Sequence, residues 1–340
     1  KKLSNYNMNE YILFAGGYSI LNDDSGNIIV ISPSENKIVN KFNFYKKNYK
    51  KFKKNLNLIV DRNIIYVSDN LGYIYAYNYK DDKLIWAKNN KIPFSSNLKI
   101  NGNFLFAANI NNNLIIFNKN TGNIINQIPT EENIVQKTFK NNLSQNKDSI
   151  FYLNTYGSLY SIDKKNLNIK WFLNLNPSLD LNLSNLFNSN QIINNGNIIV
   201  ITANKFTYII DINTGSIVYK ANFTSSIKPI ITKDYLFLVS NNNLLILFNL
   251  NNGKIMYSRD INEEISKFLE TKKKEVKFKF LTMANNDILI FLKSSYVLKF
   301  SIRGILKDVY KLPSKIKTNP IFIDTSILFV DKKRKLTVIN

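Results

Sequence analysis

The sequence is 340 residues long, 44% of them hydrophobic, and its 46 Lys and Arg against 24 Asp and Glu give a net charge of +22. It contains neither Cys nor His, which excludes thiol and imidazole nucleophiles, imidazole bases and the usual zinc ligands. No run of 18 or more apolar residues occurs, so no transmembrane helix is predicted.

Short apolar strands separated by turn residues recur along the whole chain. The first three repeats have predicted strands at 11–14, 28–31 and 37–44; at 56–60, 64–68, 73–77 and 84–87; and at 98–100, 104–107, 114–117 and 124–128. The next two have strands at 150–154, 158–162 and 169–173, and at 191–193, 198–202, 207–210 and 217–220. The last three have strands at 229–232, 235–240, 244–248 and 255–258; at 278–283, 288–293, 297–301 and 306–310; and at 320–323, 326–330 and 336–339.

One hairpin pattern marks most of these repeats. At 208–219 two β-branched runs flank a polar connection that contains Thr214-Gly215, and glycine permits the positive φ that a tight reversal between strands demands. A self-similar period of about 40–50 residues with four strands per period is typical of a β-propeller. The polar residue that opens the turn recurs at intervals of 46, 40, 45, 48 and 38 residues, at Ser32, Asn78, Asn118, Asp163, Asp211 and Asn249.

The repeats therefore predict an all-β fold, an eight-bladed β-propeller of four-stranded antiparallel blades. The last repeat has only three predicted strands, and an open sheet edge invites aggregation. We expect part of the first ten residues to supply the missing outer strand, so that the ring is closed by an N-terminal strand. Residues 1–340 are expected to form a single propeller domain with very little helix.

Few residues suggest chemistry. Asp23-Asp24-Ser25-Gly26 is a calcium candidate, but Ca²⁺ takes six to eight oxygens and no further carboxylate lies close by in sequence, so we interpret it as a hydrated turn. The pairs Glu131-Glu132 and Glu263-Glu264 each begin a long linker, as helix-starting or solvent-facing residues. No Gly-rich phosphate loop is present. We predict no catalytic residue, no metal site and no cofactor.

The positive charge has two dense clusters, one at Lys46, Lys47, Lys50, Lys51, Lys53 and Lys54 and one at Lys272, Lys273, Lys274, Lys277 and Lys279. An electrostatic partner such as nucleic acid or anionic lipid is one interpretation. The other is a compositional bias towards Asn, Lys and Ile, which we favour because most lysines sit singly in turns. Both clusters are then solvated loops, and nucleic acid is not an expected partner.

A long connection rich in Asn and Ser runs from 174 to 190 and contains Leu179, Leu181, Leu183, Leu186 and Phe187. Long loops in compact domains are often functional, and exposed apolar clusters often mark partner sites. The leucines could equally fold back over the propeller face as a satellite core. The residues by themselves leave both interpretations open.

The repeat resembles that of the quinoprotein-like, or PQQ-like, propellers. The residues that carry this resemblance are Tyr75-Ala76-Tyr77-Asn78 with Leu84-Ile85-Trp86, and Leu159-Tyr160-Ser161-Ile162-Asp163 with Ile169-Lys170-Trp171. In other repeats the tryptophan is replaced by Tyr219, Tyr257 or an aliphatic residue. The resemblance covers nearly the whole chain.

A sharper resemblance is to the BamB family, the non-enzymatic propeller lipoproteins of outer-membrane β-barrel assembly. The stretch Pro177-Ser178-Leu179-Asp180-Leu181-Asn182 looks like the family's loop Pro-Ser-Leu-x-Leu-Arg, which contacts the barrel-forming subunit BamA. Leu179 and Leu181 match the two loop leucines, and Asn182 stands where the family has Arg. The segment 225–229, which matches the family's neighbouring acidic loop, contains no acidic residue.

The resemblance implies a scaffold subunit of the barrel assembly (BAM) complex at the periplasmic face of the outer membrane. It implies a BamA-like partner bound through Pro177, Ser178, Leu179, Leu181 and Asn182, and a lipid anchor attached upstream of Lys1. One alternative is a PQQ-dependent dehydrogenase, which would bind calcium and PQQ through a carboxylate-containing central site, often beside a Cys pair that this chain lacks. Another is a basic propeller that binds nucleic acid, for which a steep salt dependence would be diagnostic.

Overall fold

The computed structural model describes residues 2–35, 37–45, 49–131, 140–176, 187–225, 227–323 and 326–339. These residues form eight antiparallel sheets, seven of four strands and one of three, and in every sheet consecutive strands are neighbours. The predicted fold class, an all-β propeller of eight blades, is confirmed.

The blades follow one another along the chain. The first two contain β1 (Leu13–Ala15), β2 (Tyr18–Asn22), β3 (Asn27–Ser32) and β4 (Lys37–Asn43), then β5 (Leu56–Asp61), β6 (Ile64–Asp69), β7 (Tyr73–Asn78) and β8 (Lys83–Asn89). The next two contain β9 (Lys99–Asn101), β10 (Phe104–Ala108), β11 (Leu114–Asn118) and β12 (Ile124–Ile128), then β13 (Asn142–Gln145), β14 (Ser149–Leu153), β15 (Ser158–Asp163) and β16 (Ile169–Asn174).

The second half of the chain repeats the arrangement. The fifth and sixth blades contain β17 (Ile193–Asn194), β18 (Ile198–Ala203), β19 (Phe206–Asp211) and β20 (Ile217–Ala221), then β21 (Ile230–Ile231), β22 (Tyr235–Val239), β23 (Leu244–Asn249) and β24 (Ile255–Asp260). The last two contain β25 (Phe278–Ala284), β26 (Asp287–Leu292), β27 (Tyr296–Ser301) and β28 (Leu306–Lys311), then β29 (Ile321–Ile323), β30 (Ser326–Val330) and β31 (Leu336–Ile339).

Contacts between Cα atoms divide the chain into two compact units, unit 1 with residues 1–143, 152–156 and 316–340, and unit 2 with residues 144–151 and 157–315. In each unit the middle strands of a blade are buried on both faces and the outer strand is exposed. In unit 1 every residue of β3 is buried, whereas β4 alternates between exposed and half-buried. Near-continuous apolar runs are what such doubly covered strands require.

The predicted hairpin turns also hold neighbouring blades together. Gly215 has φ 74°, and a Cβ at this position would lie 2.6 Å from Cε3 of Trp171, on the outer strand of the preceding blade. The Trp171 indole Nε1 donates to the carbonyl of Ile212, in the same turn, at 3.1 Å. Glycine is therefore needed twice over, for the left-handed backbone and for the space that the ring fills.

The same contact recurs in both units. In unit 1 a Cβ on Gly122 would lie 2.4 Å from Trp86, whose Nε1 donates to the carbonyl of Lys119 at 2.8 Å. In two further contacts of unit 2, a tyrosine stands in place of the tryptophan and donates its hydroxyl instead: Tyr219 to the carbonyl of Asn251 at 3.1 Å beside Gly253, and Tyr257 to the carbonyl of Ile302 at 3.0 Å beside Gly304.

The N-terminal residues pair with the edge of the three-stranded last sheet, where the sequence predicts a missing outer strand. Lys2 forms an antiparallel bridge with Lys335, and the Leu3 amide donates to the carbonyl of Arg334 at 2.9 Å. Leu3 and Met8 are buried, with 8% and 2% of their surface exposed, in one core cluster with residues of β30. This part of the N-terminal segment is therefore structural, and it covers an edge that would otherwise be open.

Helix within the described residues is limited to α1 (Ile261–Phe268), which follows β24. The Asp260 carboxylate accepts from the amides of Asn262 and Glu263 and caps the helix. Glu263 and Glu264 lie in the first turn, where the helix dipole favours a negative charge. The helix-starting interpretation of this pair is confirmed.

Candidate functional site

The predicted partner-binding residues, Pro177, Ser178, Leu179, Leu181 and Asn182, lie outside the described residues. They therefore stay a prediction. The described residues on both sides of this stretch show where the connection leaves and rejoins the propeller.

Both ends of the connection lie against the turn between β14 and β15. The Leu175 amide donates to the carbonyl of Gly157 at 2.9 Å, and a Cβ on Gly157 would lie 2.7 Å from the ring of Phe187. Phe187 is only 4% exposed, and its ring centroid lies 6.2 Å from that of Tyr208. Phe187 therefore belongs to the core of unit 2, as the alternative interpretation of this cluster predicts for it.

A polar cleft of about 250 Å³ opens where this connection rejoins unit 2. Sequence reasoning did not predict it. The described residues that line it carry amide and hydroxyl side chains, which supply hydrogen bonds but no charge: Asn188, Ser189, Asn190, Thr202, Asn204, Thr224, Ser225 and Asn241.

The segment 188–190 forms the first wall of the cleft by running antiparallel to the end of β18. Ser189 forms a bridge with Ala203, and the Asn190 amide donates to the carbonyl of Thr202 at 2.9 Å. Backbone pairing of this kind fixes the register, and so fixes which side chains face the cleft.

The segment 224–225 forms the second wall against the end of β22. Ser225 forms a bridge with Ser240, and the Asn241 amide donates to the carbonyl of Thr224 at 3.1 Å. The Ser225 hydroxyl donates to the carbonyl of Val239 at 2.8 Å. Ser225 thus holds its own segment in place.

The side chain of Asn190 joins the two walls. Its Nδ2 lies 2.6 Å from the carbonyl oxygen of Ser225 and 3.0 Å from the Thr202 hydroxyl. Because a buried amide without partners would be costly, this pairing stabilises the base of the cleft. Asn190 is therefore occupied by the fold and is not available to a ligand.

Four other lining residues keep their side chains open to the cleft. Asn188, Asn204 and Asn241 are exposed, and their carboxamides make no hydrogen bond to any described residue. The Thr224 hydroxyl likewise has no partner among the described residues, although Thr224 is only 8% exposed. These groups can both donate and accept hydrogen bonds.

The predicted calcium candidate is satisfied by the protein's own donors. The Asp23 carboxylate accepts from the amides of Ser25 and Asn27 at 3.0 Å, from the Ser4 hydroxyl at 2.5 Å and from Asn27 Nδ2 at 2.7 Å. Asp23 is fully buried, so the hydrated-turn interpretation is wrong for its carboxylate, whereas residues 24 and 25 form the predicted turn and are half-exposed. Within the described ranges, no group of three or more Asp or Glu residues is placed to hold a metal ion.

One lysine of the first basic cluster is not solvated. Lys54 is 2% exposed, and its Nζ donates to the carbonyl of Tyr49 at 2.5 Å. Burial lowers the pKa of Lys54, and the carboxylates of Asp23, Asp24 and Asp69 oppose that shift. The solvated-loop interpretation is wrong for Lys54. The solvated-loop interpretation is confirmed for the exposed lysines of each cluster. These are Lys50, Lys51 and Lys53 in the first cluster and Lys272, Lys273, Lys274 and Lys277 in the second.

A model of the family described as "Outer membrane protein assembly factor BamB" matches residues 24–259. A comparison with curated protein sequences finds no match. None of the helices in the described part of the chain has the length and apolar character needed to cross a membrane.

Three solved structures share the fold. BamB from Moraxella catarrhalis is 12% identical, with a TM-score of 0.75 over 96% of this chain and 95% of that one. The computationally designed Ika8 protein is 11% identical, with a TM-score of 0.71 over 99% of both chains. Saccharomyces cerevisiae Sqt1 is 8% identical, with a TM-score of 0.68 over 95% of this chain and 92% of that one.

Proposed function

This chain belongs to the family of the outer membrane protein assembly factor BamB, and we propose on that premise that it is a non-enzymatic scaffold subunit of the β-barrel assembly complex. Its partner is a BamA-like barrel-forming subunit. The observation that carries the proposal is the family match, which spans residues 24–259 and so includes the connection with the predicted contact loop.

We propose that the contact is made by Pro177, Ser178, Leu179, Leu181 and Asn182. In an extended segment, residues two apart point the same way, so Leu179 and Leu181 can enter one apolar groove of the partner. Burial of one leucine side chain stabilises a contact by roughly 1.5–3 kcal/mol. Asn182 contributes less than the arginine of related loops, because it has neither a charge nor a guanidinium fork.

The chemistry of the cleft that is lined by residues 188–190 supports a binding role. Its amide and hydroxyl side chains do not titrate near neutral pH, so they suit recognition rather than proton transfer. We further propose that the protein works at the periplasmic face of the outer membrane, anchored by an N-terminal lipid as in the lipoproteins that it resembles.

The test is capture of the partner from native membranes by the wild-type chain and by the double variant Leu179→Ala/Leu181→Ala. We expect the wild type to recover the barrel-forming subunit and the double variant to bind it about 100-fold more weakly, since two leucines together are worth at least roughly 3 kcal/mol. The matched control is Ile124→Ala/Ile125→Ala, which removes two aliphatic side chains that are 52% and 45% exposed on β12.

Thermal melting of each variant separates binding from folding. An unchanged melting temperature with lost capture supports a surface site. A large fall in the melting temperature of the Leu179→Ala/Leu181→Ala variant would show that these leucines belong to a core. Failure of the wild type to recover any barrel-forming subunit would contradict the assembly role itself.

A further inference from the structure

The polar cleft of unit 2 presents hydrogen-bonding groups that no described residue of the chain uses. Asn204 and Asn241 are held through their backbones, because the Asn204 amide donates to the carbonyl of Asn188 at 3.3 Å and the Asn241 amide to that of Thr224 at 3.1 Å. Their positions are therefore fixed while their carboxamides stay open. A rigid backbone beneath a free polar side chain is what a preorganised binding site requires.

The type of side chain restricts the ligand. A carboxamide offers one carbonyl acceptor and an NH₂ donor on the same planar group, and so pairs with a ligand that presents both. The extended polypeptide main chain has this character, with C=O and N–H groups that alternate along it. The lining residues that the structure describes carry no charge for an ionic ligand and no aromatic ring on which a sugar or base could stack.

The volume of the cleft also leaves room for a short stretch of polypeptide chain. Its volume of about 250 Å³ equals that of about eight water molecules in the liquid. Its walls are backbone segments that pair antiparallel with strand ends, so the side chains that line it are held at fixed positions.

We propose that this cleft binds the main chain of an extended, unfolded polypeptide segment largely independently of its side-chain sequence, through the carboxamides of Asn188, Asn204 and Asn241 and the hydroxyl of Thr224. This peptide binding goes beyond the proposed assembly role, because it needs only the purified chain and no barrel-forming subunit. In an assembly factor such a site would hold a client chain before it folds.

The experiment measures binding of fluorescently labelled ten-residue peptides to the purified full chain by fluorescence polarisation. Three probes are used. The first is a Ser/Thr/Gly peptide, the second is a peptide of different sequence and composition, and the third is the first peptide N-methylated at alternate residues. We expect the two unmethylated peptides to bind with dissociation constants within about threefold of each other. N-methylation removes main-chain donors and should weaken binding at least tenfold.

The variant Asn204→Gly/Asn241→Ala removes two cleft carboxamides, and glycine tolerates the φ of 50° at Asn204. We expect at least a tenfold loss of affinity for the unmethylated peptides. The matched control is Asn286→Gly/Asn213→Ala, which likewise replaces one exposed asparagine of φ 60° and one other exposed asparagine, both in turns that do not line the cleft. The control should bind as the wild type does.

Three results would overturn the proposal: no saturable peptide binding up to millimolar concentration, equal affinity for methylated and unmethylated peptides, or equal affinity of the cleft variant and the wild type. Maltohexaose is included as a sugar probe, and competition by it would assign the cleft to glycans instead. The methylation comparison uses only the wild-type chain and so does not depend on the folding of any variant. Peptide binding without capture of a barrel-forming subunit would contradict the assembly role alone.

Discussion

At the scale of single residues, the contact between Trp171 and Gly215 couples a turn of one blade to the outer strand of the blade before it. The ring occupies the space where any side chain at position 215 would project, with 2.6 Å from its Cε3 to an added Cβ. Side chains that close an inter-blade contact cannot move without loss of packing on both sides. The Thr-Gly of the repeat and its Trp are therefore one structural unit.

The change Gly215→Ala tests this coupling. We expect it to lower the free energy of unfolding by about 2–4 kcal/mol, from the left-handed backbone and the overlap with the ring together. The control is Gly196→Ala, since Gly196 has φ 97° but nothing within 4 Å of its added Cβ. Urea unfolding of both variants measures the difference. Equal losses would show that the ring contributes nothing to the glycine requirement.

Asp287 gives unit 2 a pH-dependent contact. Its carboxylate lies 2.5 Å from Nζ of Lys307 and 3.3 Å from Nζ of Lys299, and the hydrogen bond from Lys307 is the main cause that lowers the pKa of Asp287. Because the folded state prefers the ionised carboxylate, its contribution is present above the unfolded pKa, about 3.9, and is lost as the pH falls through the folded value.

We therefore expect Asp287→Asn to lower the melting temperature at pH 7 and to have a smaller effect at pH 3, which lies below the unfolded pKa of about 3.9, so that part of the stabilisation by the ionised carboxylate is already lost. Thermal melts of the wild type and the variant at both pH values measure this. Lys299→Met should behave in the same direction but more weakly, since Lys307 remains. An Asp287→Asn effect that is larger at pH 3 than at pH 7 would contradict the sign of this linkage.

At the scale of elements, the N-terminal segment pairs with the edge of the last blade through the bridge between Lys2 and Lys335. Leu3→Ala should lower the free energy of unfolding by about 2–4 kcal/mol, because Leu3 is 8% exposed in the core cluster shared with β30. Tyr6→Ala is the control, at a side chain that is 52% exposed in the same segment. Urea unfolding compares them. Equal stability of the Leu3 variant and the wild type would show that this segment does not hold the blade.

Most elements could be predicted from periodicity, and the exceptions have physical reasons. The hairpins between third and fourth strands are predicted well because Gly122 and Gly215 mark them. The strand β2 is not among the predicted strands; it follows Gly16-Gly17, which form the β1–β2 turn with φ of 56° and 83°. The strand β13 reads Asn-Leu-Ser-Gln and lacks apolar alternation.

The candidate site likewise has one part that the sequence predicts and one part that it does not. The loop 177–182 was predicted through a family resemblance that its leucines carry. The cleft was not predicted, because asparagine occupies so many turns of this sequence that no single one stands out. What brings Asn190 to Ser225 is the pairing of two lead-in segments with strand ends, across a separation of 35 residues. A sequence motif of local spacing cannot encode that proximity.

At the scale of the whole molecule, the net charge is +22. The described residues that line the cleft carry none of this charge. Exposed lysines such as Lys50 and Lys274 lie in connections between blades. Exposed positive charge attracts acidic partners over long distances and raises their association rates, and salt weakens this attraction. We therefore propose that specific recognition depends on the leucine loop and the cleft rather than on net charge.

The most direct test of the central claim is calorimetric titration of the purified chain with the purified periplasmic portion of the barrel-forming subunit from the same organism. We expect saturable one-to-one binding with a dissociation constant in the micromolar range or tighter, about −8 kcal/mol or better, and loss of that binding in the Leu179→Ala/Leu181→Ala variant. The absence of saturable binding by a chain whose circular dichroism shows the folded β-structure would contradict it.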